Sequence, residues 1–262
     1  MIWSPHSRIR PLFEGGDLLV GEWHCWGVEK RWFKEVPVYA ELDLPRDGMH
    51  LRAVGRKQHV IHPATAAFSA AHADYTRASP TSNPATSTLI FVRGELAEAL
   101  PRNTMSSHPI SSEVATLHVR LLRATDPVAV EEAALAILQR VLVTSSEPAP
   151  RTARDVPPSW RRLADELQHV IATRYGERLT LERLATLCKT SPFHASRVFR
   201  TVTGETIHGY LTRVRLRVAL FELRRGAGRL TDIALATGFS SHSHFTSAFR
   251  TEFGYAPSTL AR

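Results

Sequence analysis

Three sets of residues in this 262-residue sequence could do chemistry. The first is arginine. Residues 151–262 hold 18 Lys/Arg against 9 Asp/Glu, and every cation there except Lys189 is an arginine, whereas residues 1–150 hold 15 against 16. The formal charge of +8 therefore belongs to the C-terminal part. Guanidinium forks match phosphate oxygens and the guanine edge, so the asymmetry points to a polyanion partner rather than a merely solvated surface. The second set is histidine: His24, His50, His59, His62 and His72 in the N-terminal half. His59-x-x-His62 and Glu22-x-His24 have spacings a metal can use. Lone histidines ordinarily sit at strand edges or make simple hydrogen bonds, however, and no metal or other cofactor is expected. The third is Cys25 beside His24, the one candidate nucleophile. It lies in an apolar strand without a cysteine cluster, so catalysis is not expected. With Cys188 as the only other cysteine, a disulfide framework and a Cys-based structural zinc site are both disfavoured.

The elements that must position the arginines are helices. Residues 144–159, TSSEPAPRTARDVPPS, carry four prolines and almost nothing apolar, the composition of a linker. Every segment after it reads as helical. Residues 160–175 put Leu163, Leu167, Val170 and Ile171 on one stripe, with Gly176 as the stop. Thr180 caps a helix through Cys188. Ser191, followed by Pro192, caps another through about Val202, ended by Gly204. A long helix covers residues 206–225. Thr231 caps the next, Gly238 breaks it, and Ser241 opens the last full helix, ended by Gly254.

One unit of this array is used twice. LATLCKTSPFHASRVFRTVTG (residues 184–204) aligns with IALATGFSSHSHFTSAFRTEFG (residues 233–254), at a spacing of about 50 residues with one extra residue at the second turn. Ala185 pairs with Ala234, Lys189 with Gly238, Phe199 with Phe249, Arg200-Thr201 with Arg250-Thr251, and Gly204 with Gly254. Each copy is a helix-turn-helix: a capped short helix, a tight break, and a second helix with a polar outer face. Val198, Phe199, Phe245 and Phe249 supply the inner faces. The helix between the copies is ~30 Å long, and successive major-groove faces on one side of B-DNA lie ~34 Å apart. Such a strut can hold two reader helices in adjacent grooves. Ile207, Leu211, Val214, Val218 and Phe221 form its packing stripe, and Arg213, Arg215, Arg217, Arg224 and Arg225 on or near it could neutralise phosphates.

On SPFHASRVFR, TIHGYLTRVRLRVALFELR and above all DIALATGFSSHSHFTSAFRTEFGYAP, residues 160–262 resemble the DNA-binding domain of AraC-family transcriptional regulators. The resemblance implies that the outer face of each second helix enters a major groove. By position, the first reader offers Phe193, Ser196 and Arg197, with Arg197 able to fork onto guanine N7 and O6. The second offers His242, Ser243, His244, Thr246 and Ser247. Arg200, Arg213 and Arg250 are the phosphate candidates. Three positions depart from the family pattern. Ser247 stands where an arginine is common, so this half should read bases less forcefully. Ala195 replaces a larger apolar residue in the first core. Lys189 occupies a turn position where glycine is usual, which implies backbone strain.

The N-terminal part reads as mixed. Residues 18–26 and 38–44 alternate as half-buried strands do, Asp47-Gly48 reads as a hairpin turn into residues 49–54, and residues 87–92 form another strand before a short helix from about Glu95. From Ser111 the pattern becomes helical, and Asp126 with Pro127 opens a second helix whose Val130, Ala134, Ile137, Leu138 and Val141 share one face. That face can pack on its own sheet or form a dimer seam. Four of the five tryptophans, Trp3, Trp23, Trp26 and Trp32, fall in this part, as core or as pocket lining.

The expected fold class is α+β: a β-rich, cupin-like sensing and dimerising domain over residues 1–145 with a helical segment at 111–143, a linker at 146–159, and an all-α double helix-turn-helix domain over 160–262 with units at 180–204 and 231–254. The cupin-like assignment rests on the family resemblance alone, and the His-x-His and downstream Glu of a metal-binding cupin are missing. The expected partners are double-stranded DNA, a second copy through 111–143, a small-molecule effector and, for an activator, RNA polymerase. With no signal pattern or membrane-length apolar run, a cytoplasmic location is expected. Two alternatives stand beside this reading: an N-terminal protein-interaction module without a ligand, and an alkyl-accepting cysteine domain, as some relatives of this DNA-binding domain carry, acting through Cys25.

Overall fold

The computed structural model describes residues 7–27, 31–55, 57–98, 100, 105–146, 156–226 and 228–260. Trp3 and most of the proline-rich linker lie outside the described residues. The chain divides into two compact units, Met1–Ser146 and Glu147–Arg262.

The first unit is built on two antiparallel sheets. Strands β1 (Ser7–Gly15), β2 (Leu18–Cys25), β4 (Ala40–Asp47), β7 (Thr65–Ser69), β9 (Ala85–Val92) and β10 (Met105–Pro109) form one, in the order β1-β2-β9-β4-β7-β10. Strands β3 (Trp32–Glu35), β5 (His50–Val54), β6 (Lys57–Ile61) and β8 (Tyr75–Ala78) form the other, in the order β3-β8-β5-β6. Asp47-Gly48 is not a hairpin turn, because β4 and β5 belong to different sheets. The register of β4 slips between Pro45 and Asp47, and Gly48 adopts φ +67° where a Cβ would stand 2.5 Å from the Pro84 carbonyl oxygen and 2.9 Å from the Ala85 Cα. The chain therefore turns a corner from one sheet to the other, which alternation in the sequence could not distinguish from a hairpin.

A charged network joins the sheets. Arg52 of β5 lies 2.9 Å from Glu41 of β4, donates to Ser69 at 2.8 Å and also pairs with Asp43. Arg77 of β8 pairs with Glu35 at 3.2 Å, Tyr75 donates to Glu41 at 2.8 Å, and His50 meets Asp43 at 3.1 Å. All are buried. Burial pushes His50 down to about 4 against the pull of Asp43, and pushes Glu35 up. Burial also opposes ionisation of Asp43, yet Arg52, His50 and Arg77 hold it well below the carboxylate range. Trp23 is core: it packs with Cys25, Ala85, Leu89 and Phe91, and the Arg77 guanidinium lies 4.4 Å from its ring centre. Trp26 and Trp32 are exposed.

Among the described residues three helices complete this unit: α1 (Gly94–Glu98), α2 (Ser112–Arg123) and α3 (Pro127–Ser146). The Ser111 hydroxyl caps α2, and His118 ties α2 to β9 through Thr88 at 2.7 Å. Asp126 caps α3 as its sequence implies. The apolar face of α3 is spent within the unit: Ala134, Ile137, Leu138 and Val141 are buried as α3 packs on α2 and reaches β1 and β10.

Among its described residues the second unit has helices and no strand: α4 (Pro158–Arg174), α5 (Leu181–Leu187), α6 (Pro192–Thr203), α7 (Ile207–Arg225), α8 (Leu230–Ala236) and α9 (His242–Phe253), followed by a 3-10 turn at Pro257–Thr259. Thr180, Ser191, Thr206 and Ser241 cap their helices through side-chain oxygens. Thr231 is not a cap. Helix α8 begins earlier, with the Arg229 carbonyl accepting from Asp232 and Ile233, so Thr231 falls inside the first turn. Gly176 acts by closeness, since a Cβ there would stand 2.8 Å from the Ala236 carbonyl. No helix among the described residues is long and apolar enough to cross a membrane.

Candidate nucleic-acid interface

The two helix-turn-helix copies agree at the level of single hydrogen bonds. In the first turn the Thr190 amide donates to the Ala185 carbonyl at 2.9 Å and the Lys189 amide to Thr186 at 3.2 Å. In the second, Phe239 donates to Ala234 and Gly238 to Leu235, both at 2.9 Å. Each pair is a Schellman closure around one left-handed residue. Gly238 occupies that place at φ +86°, and Lys189 occupies it at φ +50°, the strained conformation its position implies. Glycine has a second reason to stand at 238. A Cβ there would fall 2.6 Å from the Tyr175 carbonyl and 2.8 Å from the Arg215 guanidinium.

Each second helix is clamped by its inner face. Ala195, Val198 and Phe199 of α6 are fully buried, as are Phe245 and Phe249 of α9. A ring series, edge-to-face from Phe239 through Phe245 to Phe249 and tilted from there onto Phe253, with ring centres 4.5 to 5.6 Å apart, fills the second copy. This packing turns the remaining side chains outward. On α6, Phe193 is 77% exposed, and Ser196, Arg197 and Arg200 are also exposed. On α9, His242, Ser243, Thr246, Ser247, Arg250 and Thr251 border an open depression of about 450 Å³. His244 stands apart from that row. Its ring lies against Phe239 at 5.4 Å, and its Nδ1 is 3.4 Å from the Ser240 hydroxyl.

The arginines sort into two groups. Those of α7 are engaged within the protein. Arg213 pairs with Glu205 and lies over Tyr210. Arg215 donates to the Tyr175 and Glu177 carbonyls at 2.8 and 2.9 Å. Arg217 is buried, 2.8 Å from Glu252 of α9 and 5.0 Å from the Phe253 ring centre, and Arg225 pairs with Glu222. Burial pulls Arg217 down to about 10, with Glu252 opposing, so it stays charged at neutral pH. In contrast, the side chains of Arg197, Arg200 and Arg250 on the two reader helices make no hydrogen bond or ion pair with the described residues. Periodicity could place these arginines on a helix but could not separate braces from free donors. That distinction depends on acids outside α7, Glu205 just before it and Glu252 on α9. Sequence reasoning also missed Trp160, whose ring meets His194 and Arg197.

The N-terminal candidates are dispersed. His59 Nδ1 lies 2.8 Å from the Ser107 hydroxyl, and the His62 ring accepts from the Ala64 amide at 3.2 Å. Among the described residues no group of three His, Cys, Asp or Glu could hold a metal. Cys25 is buried, its sulfur 3.5 Å from the Ser79 hydroxyl. Burial pushes the Cys188 thiol up to about 11.

Residues 184–262 match the family model described as "Helix-turn-helix domain". The chain is 31% identical to the regulatory protein SoxS of Escherichia coli (strain K12) over 100 residues, 38% of this chain and 94% of SoxS. It belongs to the AraC family of transcriptional regulators. Another AraC-family relative is the bifunctional transcriptional activator/DNA repair enzyme AdaA of Bacillus subtilis (strain 168), 32% identical over 93 residues. That match takes in 36% of this chain and 44% of AdaA, so the chain spans less than half of that relative. Among solved structures, fatty-acid-bound ToxT of Vibrio cholerae strain SCE256 aligns over 94% of this chain and 95% of its own, at 8% identity and a TM-score of 0.37.

Proposed function

We propose that this chain is a sequence-specific, ligand-responsive regulator that grips duplex DNA with α6 and α9. The observation that carries the reading is the sorting of arginines: Arg213 and Arg217 of the strut pair with Glu205 and Glu252, whereas the side chains of Arg197, Arg200 and Arg250 on the outer faces of the two readers make no ion pair with the described residues. Bases would be read by Phe193, Ser196 and Arg197 on the first helix and by His242, Ser243, Thr246 and Ser247 on the second. His244 would contribute from the turn side. Arg200 and Arg250 would take phosphates, whereas Arg213 would reach one only by leaving Glu205.

The N-terminal unit would sense a small polar molecule. Glu35 Oε1, Glu41 Oε2, Asp43 Oδ1, His50 Nδ1 and Arg77 Nη1 are buried between the sheets without hydrogen-bond partners, offering acceptors and donors to a ligand. A homodimer through residues 111–143 would use the outer side of α3, where Val128 and Leu135 are exposed seven residues apart. An activator would also touch RNA polymerase. The reading is tested with duplexes enriched by the full-length protein from a randomised library. Arg197→Ala should weaken the enriched duplex about 5- to 150-fold and relax preference at a guanine, as loss of a bidentate contact does. Unchanged affinity and preference would sink the assignment. Titration of a metabolite panel against the fluorescence of Trp23, which abuts His50 and Arg77, separates a sensor from a ligand-free interaction module.

A further inference from the structure

We infer that Trp160 is a positioning residue for Arg197, holding the guanidinium ready for a base while leaving its donors unspent. The inference rests on the reading of α6 as a DNA reader. The Arg197 guanidinium carbon lies 5.3 Å from the centre of the Trp160 ring, within cation–π range. The same indole meets the His194 ring edge-on, at 5.9 Å and 87°. One side chain of α4 thus touches two residues three apart on α6, beside the outward face.

The platform is fixed. Trp160 lies in the first turn of α4, where Pro158 starts the helix and the Trp160 amide donates to the Pro157 carbonyl at 2.9 Å. Ala164, Leu167 and Ile171 bury the rest of α4, which packs directly on α6.

The chemistry of the contact matters because an arene attracts a guanidinium through its face and takes none of the five N–H donors. A carboxylate in the same place would hold the side chain equally well, but would occupy the fork that a guanine O6/N7 edge needs. Arg213 and Arg217 are held in that second way, and Arg197 in the first. An arginine steadied before binding has less freedom to lose on contact. The second copy has Ser247 at the position matching Arg197, so this device belongs to the first reader alone.

The test uses the full-length chain and two duplexes: one enriched from the randomised library, and the same duplex with its guanines in the first half-site replaced by adenine. Trp160→Leu should weaken the enriched duplex about two- to fivefold, as loss of an exposed cation–π contact would, and narrow the ratio between the two duplexes. Trp160→Phe, which keeps an aromatic face, should restore most of both. In an Arg197→Ala background, Trp160→Leu should change neither quantity. Wild-type affinity for Trp160→Leu would overturn the inference, and so would the same loss with and without Arg197, which would mark Trp160 as packing only. If Arg197→Ala itself leaves both duplexes unaffected, the base-reading assignment fails instead.

Discussion

Arg217 offers the sharpest separation between an arginine that builds the domain and one that binds DNA. It is fully buried on α7, and its partner Glu252 belongs to the second reader, with a side chain 29% exposed. Arg217→Met keeps much of the aliphatic stem and removes the charge. A charge stranded in the interior costs about 3–5 kcal/mol, but Glu252 can rehydrate through its open side, which lowers the expected loss to about 1–2 kcal/mol. Arg217→Ala also removes the buried aliphatic stem, bringing the loss to about 3–4 kcal/mol. In a double-mutant cycle with Glu252→Gln, the coupling should be about 1–2 kcal/mol. Urea unfolding followed by far-UV circular dichroism measures these losses, and salt titration of DNA binding supplies the contrast. Since Arg217 faces Glu252, its replacement should leave the salt slope unchanged. Arg200→Met should do the reverse, sparing stability and lowering the slope by about one. Wild-type stability for Arg217→Met, together with a slope reduced by one, would refute the assignment of Arg217 as a brace.

Three further outcomes follow from the geometry. Gly238→Ala should destabilise the second unit by at least about 2 kcal/mol, because it combines a left-handed φ with a clash against the Tyr175 carbonyl; Lys189→Gly should be neutral or stabilising by up to about 1 kcal/mol, and thermal melts of both variants check the pair. Ser247→Arg should tighten binding and raise the salt slope by about one, because the new guanidinium faces the open depression on α9; an unchanged slope would argue that this face does not meet DNA. His50 lies below its ordinary value of 6.5, at about 4 in the fold, so the stability it contributes is complete above pH 6.5 and is lost as pH falls toward 4, by at most about 3 kcal/mol. Glu35, raised by burial, takes up a proton in the fold and offsets part of that loss. His50→Gln should flatten the pH dependence of stability over this interval, and an unaltered profile would remove His50 as its source.

Helix ends, the duplicated unit and the inner faces were legible because each depends on near neighbours: Ser191 before Pro192, Gly204 after α6, and phenylalanines at helical spacing. Thr231 misled because a good capping residue lay two positions beyond the real N-cap, Arg229. Asp47-Gly48 misled because a corner and a hairpin share the same turn chemistry, and only pairing with β9 rather than β5 decides between them. The buried network was invisible for a related reason. Arg52 is buried by Asp43, Glu41 and Ser69, which close around it from other strands. Pairing across element boundaries also hid the division of the arginines, since Glu205 and Glu252 decide it and neither lies on α7 with its partner.

Two reader helices on one strut should leave two marks on DNA. Helix α7 spans 19 residues, about 28 Å, close to one turn of the duplex. Hydroxyl-radical footprinting of the enriched duplex with the full-length protein should therefore show two protected patches on one face, about ten base pairs apart, with the patch under α6 fading in Arg197→Ala. A single patch, or uniform weak protection indifferent to sequence, would contradict the paired-reader account.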